Sequence, residues 1–228
     1  LARALARRFE ALYRLNAAPQ PYAPDAAGIA RRALKNTCLA YLVRTGDQRW
    51  LQIAHDRFNS ADNMTEVSAA LRVLVNSPMP EAIELRENAL QVFYDKWQHE
   101  ALVVDQWFTI QATSILPGTL ERVKSLMAHP AFDMRNPNKV RALIGAFAGQ
   151  NPMQFHDVSG AGYRFLADRI IEIDTLNPQM ASRLLTPLTR WKKYDTVRQG
   201  LMRSELERID AVDNLSKDVA EVAGKSLK

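Results

Sequence analysis

Three asparagine–proline pairs most tightly restrict what this chain can become: Asn136-Pro137, Asn151-Pro152 and Asn177-Pro178. An asparagine side chain accepts a hydrogen bond from the orphan N–H groups at a helix start. A proline just after it loses nothing there, because its missing N–H would be unpaired anyway. Each pair therefore announces a helix. The first and third are predicted to launch helices to about Ala148 and Trp191, and the second only a short turn, Met153 to His156, before the loop Ser159-Gly160-Ala161-Gly162.

The rest of the chain keeps the same 3.6-residue period. Helices are predicted over Leu1 to Leu15, Asp25 to Thr45, Asp47 to Asn59, Asn63 to Val75, Glu81 to Glu100, Leu102 to Ile115, Thr119 to Ala128, Tyr163 to Leu176, Asp195 to Ile209 and Leu215 to Leu227. Asp25 and Thr119 are the expected caps of their helices, and Ala18-Pro19-Gln20-Pro21-Tyr22-Ala23-Pro24 is the expected linker. Only 9 glycines occur and no alternating β-branched runs are present, which argues against a sandwich or barrel. The fold class is all-α, with about twelve helices in short-loop pairs, as in an α-superhelix of HEAT-like repeats. No strict period recurs, so the repeat is structural, and a plain bundle is the competing arrangement. Opening inside an amphipathic pattern, Leu1 to Phe9, the chain reads as a fragment of something longer.

Composition excludes several classes. No stretch approaches the roughly 18 apolar residues of a membrane span. The single cysteine, Cys38, cannot form an internal disulfide; it sits among apolar neighbours at helical spacing and reads as buried. A reducing, cytoplasmic setting follows. A net charge of +5 is mild for 228 residues and is no nucleic-acid signature by itself.

A search for chemistry finds no catalytic or metal-binding set. The four histidines do not pair at ligand spacing. His99-Glu100-Ala101-Leu102-Val103 comes near the His-Glu-x-x-His helix of zinc peptidases, in which residues four apart share a face, but Val103 stands where the second ligand belongs. His156-Asp157 resembles a base with its orienting carboxylate, yet no nucleophile accompanies it, and a structural role is expected. Trp97, Trp107, Phe93, Phe108 and Tyr94 read as core. Arg190-Trp191-Lys192-Lys193-Tyr194 reads as a solvated helix end favoured by the C-terminal dipole. Arg141 and Arg183 stand five and six residues after the Asn136 and Asn177 caps. Near helix starts, an arginine and free N–H groups together suit a carboxylate; ion pairs with Asp133 or Asp174 are the alternative.

Longer segments carry a family resemblance. Asn136-Pro137-Asn138-Lys139-Val140-Arg141-Ala142-Leu143-Ile144-Gly145-Ala146-Phe147, Asn177-Pro178-Gln179-Met180-Ala181-Ser182-Arg183-Leu184, Leu102 to Phe108, and Arg198-Gln199 with Met202-Arg203 are similar, in order, to the C-terminal helical domain of bacterial aminopeptidase N. The resemblance implies that residues 1–228 form a single C-terminal domain of a zinc aminopeptidase that removes N-terminal residues from peptides. It implies an upstream catalytic domain of the same polypeptide as partner, holding the zinc, with no cofactor in this chain. It further implies an α-superhelix that covers the active site, with Arg141, Arg183 and Gln179 facing a peptide cavity. Lys139 stands where the family's pattern suggests arginine, which keeps the charge but loses the fork. A HEAT-like scaffold binding a protein or nucleic acid is the competing function.

Overall fold

The structure is a computed structural model and describes residues 1–18 and 20–228. Pro19, within the expected linker, lies outside the described residues. Among the described residues there are fifteen α-helical segments, one π turn and one 3-10 turn, and no strand. The all-α expectation holds. The surplus over twelve comes from two interrupted helices and from the short turn after Asn151.

The chain forms two compact units, Leu1–Gln98 and His99–Lys228. The first contains α1 (Ala6–Asn16), α2 (Ala26–Val43), α3 (Gln48–Ser60), α4 (Met64–Val75) and α5 (Ala82–Trp97). Asp25 caps α2 by accepting from the Gly28 N–H at 2.7 Å. A side chain at Gly28 would place its Cβ 2.4 Å from the Ala23 carbonyl oxygen, so the preceding segment can close on α2 only at a glycine. Arg32 donates to that same carbonyl at 2.9 Å. Phe9 of α1 stacks on Tyr41 of α2 with ring centroids 4.6 Å apart, and Tyr13 meets Trp50 of α3 edge-on at 5.4 Å. Leu42, Leu51, Leu71, Leu74 and Phe93 fill the interior, and Cys38 is buried there, its thiol pushed up by desolvation. Tyr94 and Trp97 are only half-buried, so α5 contributes fewer aromatics to the core than its periodicity predicts.

The second unit opens with α6 (Ala101–Ala112), α7 (Thr119–Leu126) and α8 (Pro137–Val140). The π turn Arg141–Gly145 and α9 (Ala146–Gln150) continue α8 without a break. Then come α10 (Pro152–Phe155), α11 (Ala161–Asp174), α12 (Pro178–Leu184), α13 (Thr186–Thr189), the 3-10 turn Trp191–Lys193, α14 (Thr196–Asp210) and α15 (Lys217–Leu227). Phe108, Ile110, Leu143, Ile144, Phe147, Phe155 and Tyr163 form the core. Phe147 meets Phe155 and Phe165 edge-on, each at 5.9 Å, and Phe155 meets Tyr163 at 5.2 Å. Such edge-to-face pairs add about 0.5–1.5 kcal/mol each beyond the area they bury.

The three Asn-Pro caps form as the sequence requires. Asn136 accepts from Asn138 N–H at 2.9 Å, Asn151 from Gln154 N–H at 3.2 Å and Asn177 from Met180 N–H at 3.0 Å. Thr119 is a different case. The cap of α7 is Gly118, whose φ of 85° is open to glycine, and Thr119 instead donates its hydroxyl back to the Leu116 carbonyl at 2.8 Å.

Candidate arginine-lined cavity

The continuous helical stretch from Pro137 to Gln150 forms one wall of a cavity of about 560 Å³. It contributes the small residues Gly145, Ala148 and Gly149 and the long side chains Arg141 and Gln150. A Cβ built on Gly149 would meet nothing within 4 Å, so the space there is open. The opposite wall comes from α12 and α13, through Gln179, Met180, Arg183, Leu184, Thr186 and Pro187, with Arg190 just beyond α13. His156 and Tyr194 complete the lining.

Local devices hold both walls. On the first, Thr109 of α6 donates its hydroxyl to the Ala142 carbonyl at 3.0 Å, tying the π turn to α6. The buried Asn151 side chain, besides capping α10, donates to the Ala112 and Ser114 carbonyls at 3.0 and 2.7 Å, and so anchors the far end of the wall to the end of α6. On the second, Pro187 interrupts the helix expected to reach Trp191. Proline has no N–H to offer the Arg183 carbonyl four residues back, and the Thr186 hydroxyl takes that carbonyl instead, at 2.9 Å. The interruption splits α12 from α13, and Arg190 follows at the end of the second piece.

The structure brings Arg141, Gln179 and Arg183 around this one cavity, and all three are exposed. The Arg141 guanidinium donates to the Asn138 side-chain oxygen. The expected alternative, pairing with Asp133 or Asp174, does not occur. Asp133 accepts from the Arg135 N–H at 2.9 Å, and Asp174 from the Ser216 N–H at 2.9 Å and the Ser216 hydroxyl at 2.5 Å. The helix-start argument for the two arginines is corrected. α12 is seven residues long, so Arg183, six after the cap, already lies in its last turn, and Arg141 opens the π turn. Their suitability for an anion therefore rests on the guanidinium groups and not on a helix N-terminus.

Lys139 takes no part in the cavity. It is buried, with its ammonium 2.6 Å from an Asp105 carboxylate oxygen and 3.2 Å from the Ala101 carbonyl. Sequence reasoning missed three lining residues: Arg190, His156 and Tyr194. The only signal for Arg190 and Tyr194 was Pro187, which breaks the helix and turns its solvated end toward the cavity. His156 lies between two tyrosines, with Nδ1 2.9 Å from the Tyr163 hydroxyl and Nε2 2.8 Å from that of Tyr194. Burial, and secondarily the Arg198 charge, hold His156 below its ordinary imidazole value. Burial pushes the Tyr163 hydroxyl up to about 12. Asp157 does not orient the imidazole; it accepts from the Ser159 N–H at 2.9 Å in a local turn.

No acidic side chain lines the cavity. Among the described residues, Arg141, Arg183 and Arg190 form no ion pair. The site is a cationic pocket with forked donors, suited to carboxylates or similar planar anions. Among the described residues no three His, Cys, Asp or Glu side chains gather as a metal site, and no helix is long and apolar enough to cross a membrane.

The helical array belongs to a known class. The family described as "Domain of unknown function (DUF3458_C) ARM repeats" matches residues 1–228, and the chain belongs to that family. Its relatives are more particular. It is 45% identical over 200 residues to aminopeptidase N of Haemophilus influenzae, covering 88% of this chain and 22% of that protein. To aminopeptidase N of Escherichia coli K12 it is 41% identical over 227 residues, covering 100% and 26%. A solved structure, Legionella pneumophila aminopeptidase A in complex with aspartic acid, matches 100% of this chain and 27% of its own, with TM-score 0.89 and 36% identity. The chain thus spans about a quarter of the length of these relatives. The resemblance to the C-terminal domain of bacterial aminopeptidase N agrees with all of them.

Proposed function

We propose that this chain is the C-terminal helical domain of a zinc-dependent aminopeptidase, acting in the cytoplasm as a single functional domain with the catalytic portion upstream in the same polypeptide. Its cavity receives the part of a peptide downstream of the cleaved bond. The observation that carries this reading is the meeting of Arg141, Gln179 and Arg183 around one cavity that has no acidic lining. A peptide ends in a carboxylate, and a guanidinium can hold that group by two parallel hydrogen bonds. Gln179 adds an amide able both to donate to and to accept from a peptide backbone.

The residues here do not suit zinc. His99 has Val103 four positions on, and no cluster of ligands stands elsewhere among the described residues. This reading assigns the zinc implied by the resemblance to the upstream portion, and gives this chain the work of binding and orienting. Alone it is expected to be inactive.

Complementation tests the proposal. This chain is mixed with the separately produced upstream portion, and hydrolysis of alanine p-nitroanilide and of short peptides is followed with zinc present. Activity that needs both parts supports the reading. Full activity of the upstream portion alone on both substrates, or hydrolysis by this chain alone, would overturn it.

A further inference from the structure

Arg190 adds to the cavity a cation beyond Arg141 and Arg183. We propose that the cavity selects peptides bearing a second carboxylate beside the C-terminal one, and that Arg190 is the residue that reads it. This rests on the cavity being the site for the downstream part of the peptide.

The argument is one of unmatched charge. Three guanidinium groups line the cavity, and the nearest acidic residues along the chain are engaged elsewhere. Asp133 accepts from the Arg135 N–H, Asp174 from the Ser216 N–H and hydroxyl, and Asp195 caps α14 through the Val197 and Arg198 N–H groups and pairs with the Arg198 side chain at 2.8 Å. A peptide with only its terminal carboxylate leaves at least one guanidinium without a counter-charge. An aspartate or glutamate side chain supplies one, whereas a lysine or arginine side chain adds a further positive charge beside the three guanidinium groups. The guanidinium groups are exposed, so both effects are those of partly screened charges and weaken as salt is added. A volume of about 560 Å³ lies within the range of ligand pockets and is sufficient for a few residues. The dipole of α13 offers Arg190 little reason for its position, because that helix is a single four-residue turn.

The experiment uses the full-length enzyme that contains this chain. The substrates are Ala-Ala-Asp, Ala-Ala-Ala and Ala-Ala-Lys, whose shared first residue keeps the upstream pocket constant. At low ionic strength kcat/KM is expected to fall in that order, with about tenfold between the ends, and to converge as salt is added. Arg190→Gln is expected to cut the Asp-to-Lys ratio by about fivefold, and Arg190→Lys to recover part of it. Arg203→Gln removes an equal charge outside the cavity, from a residue paired with Glu207, and is expected to leave the ratio as it was. Equal hydrolysis of the three peptides, or equal effects of the Arg190 and Arg203 substitutions, would overturn charge selection while leaving the peptidase reading standing. Failure to hydrolyse any of the three would overturn both.

Discussion

The Tyr194 hydroxyl lies 2.8 Å from Nε2 of His156, and the two rings are 4.2 Å apart. Since Tyr163 takes the other imidazole nitrogen, the histidine spends its full hydrogen-bonding capacity in tying a cavity-lining residue to the core. His156→Phe keeps the ring volume but leaves two phenolic hydroxyls without their partner. A loss of about 2–3 kcal/mol is expected by urea denaturation. Unchanged stability would remove the structural role assigned here.

The same histidine sets a pH dependence. Burial, then Arg198, holds its folded value below the ordinary imidazole value of about 6.5, so near and below that value the unfolded chain binds the extra proton first. Stability from this source is present above the unfolded value and is lost as pH falls through the folded one. His129 is shifted in the same direction by burial. The melting temperature is therefore expected to drop between about pH 7 and pH 5, and His156→Phe to flatten part of that slope. An identical slope in the variant would contradict this assignment.

Lys139 and Asp105 form an ion pair with side chains only 11% and 17% exposed. Replacing the lysine by methionine keeps the bulk and strands the carboxylate. The expected cost is about 3–5 kcal/mol, read from thermal or urea unfolding. A cost below 1 kcal/mol would indicate that water reaches Asp105 freely.

Two glycines of the second unit should respond in opposite ways. A Cβ at Gly162 would lie 2.5 Å from the Phe155 carbonyl oxygen, a backbone atom that cannot step aside, so Gly162→Ala is expected to destabilise by several kcal/mol. At Gly149 a Cβ meets nothing, and alanine is the better helix former, so Gly149→Ala is expected to stabilise by about 0.5–1 kcal/mol while narrowing the cavity. Comparing the two melting temperatures checks both.

The helices were legible because their signals are local. Each Asn-Pro pair carries cap and first residue together, and all three form as expected. Thr119 misled because the capping position went to Gly118, whose left-handed backbone turns the chain into the helix with no side-chain cap. The meeting of Arg141 with Arg183 was not legible from spacing, since residues in different helices come together only through tertiary packing. The helix-start argument singled the two out and the resemblance to a family implied a shared cavity, but the dipole part of the first failed because α12 is too short for Arg183 to lie at its start. Arg190 was passed over because a run of basic and aromatic residues after a helix reads as solvent-facing. Arg190 is exposed, as that reading expects, and lines the cavity as well.

The central claim, that this cavity holds the carboxylate end of a peptide, is tested most directly by Arg183→Ala in the full-length enzyme. The measurement is kcat/KM for tri-alanine and for alanine p-nitroanilide, which has no carboxylate to offer. The account predicts a loss of about tenfold on tri-alanine and less than about twofold on the anilide. Equal losses on the two substrates, or none on tri-alanine, would contradict it.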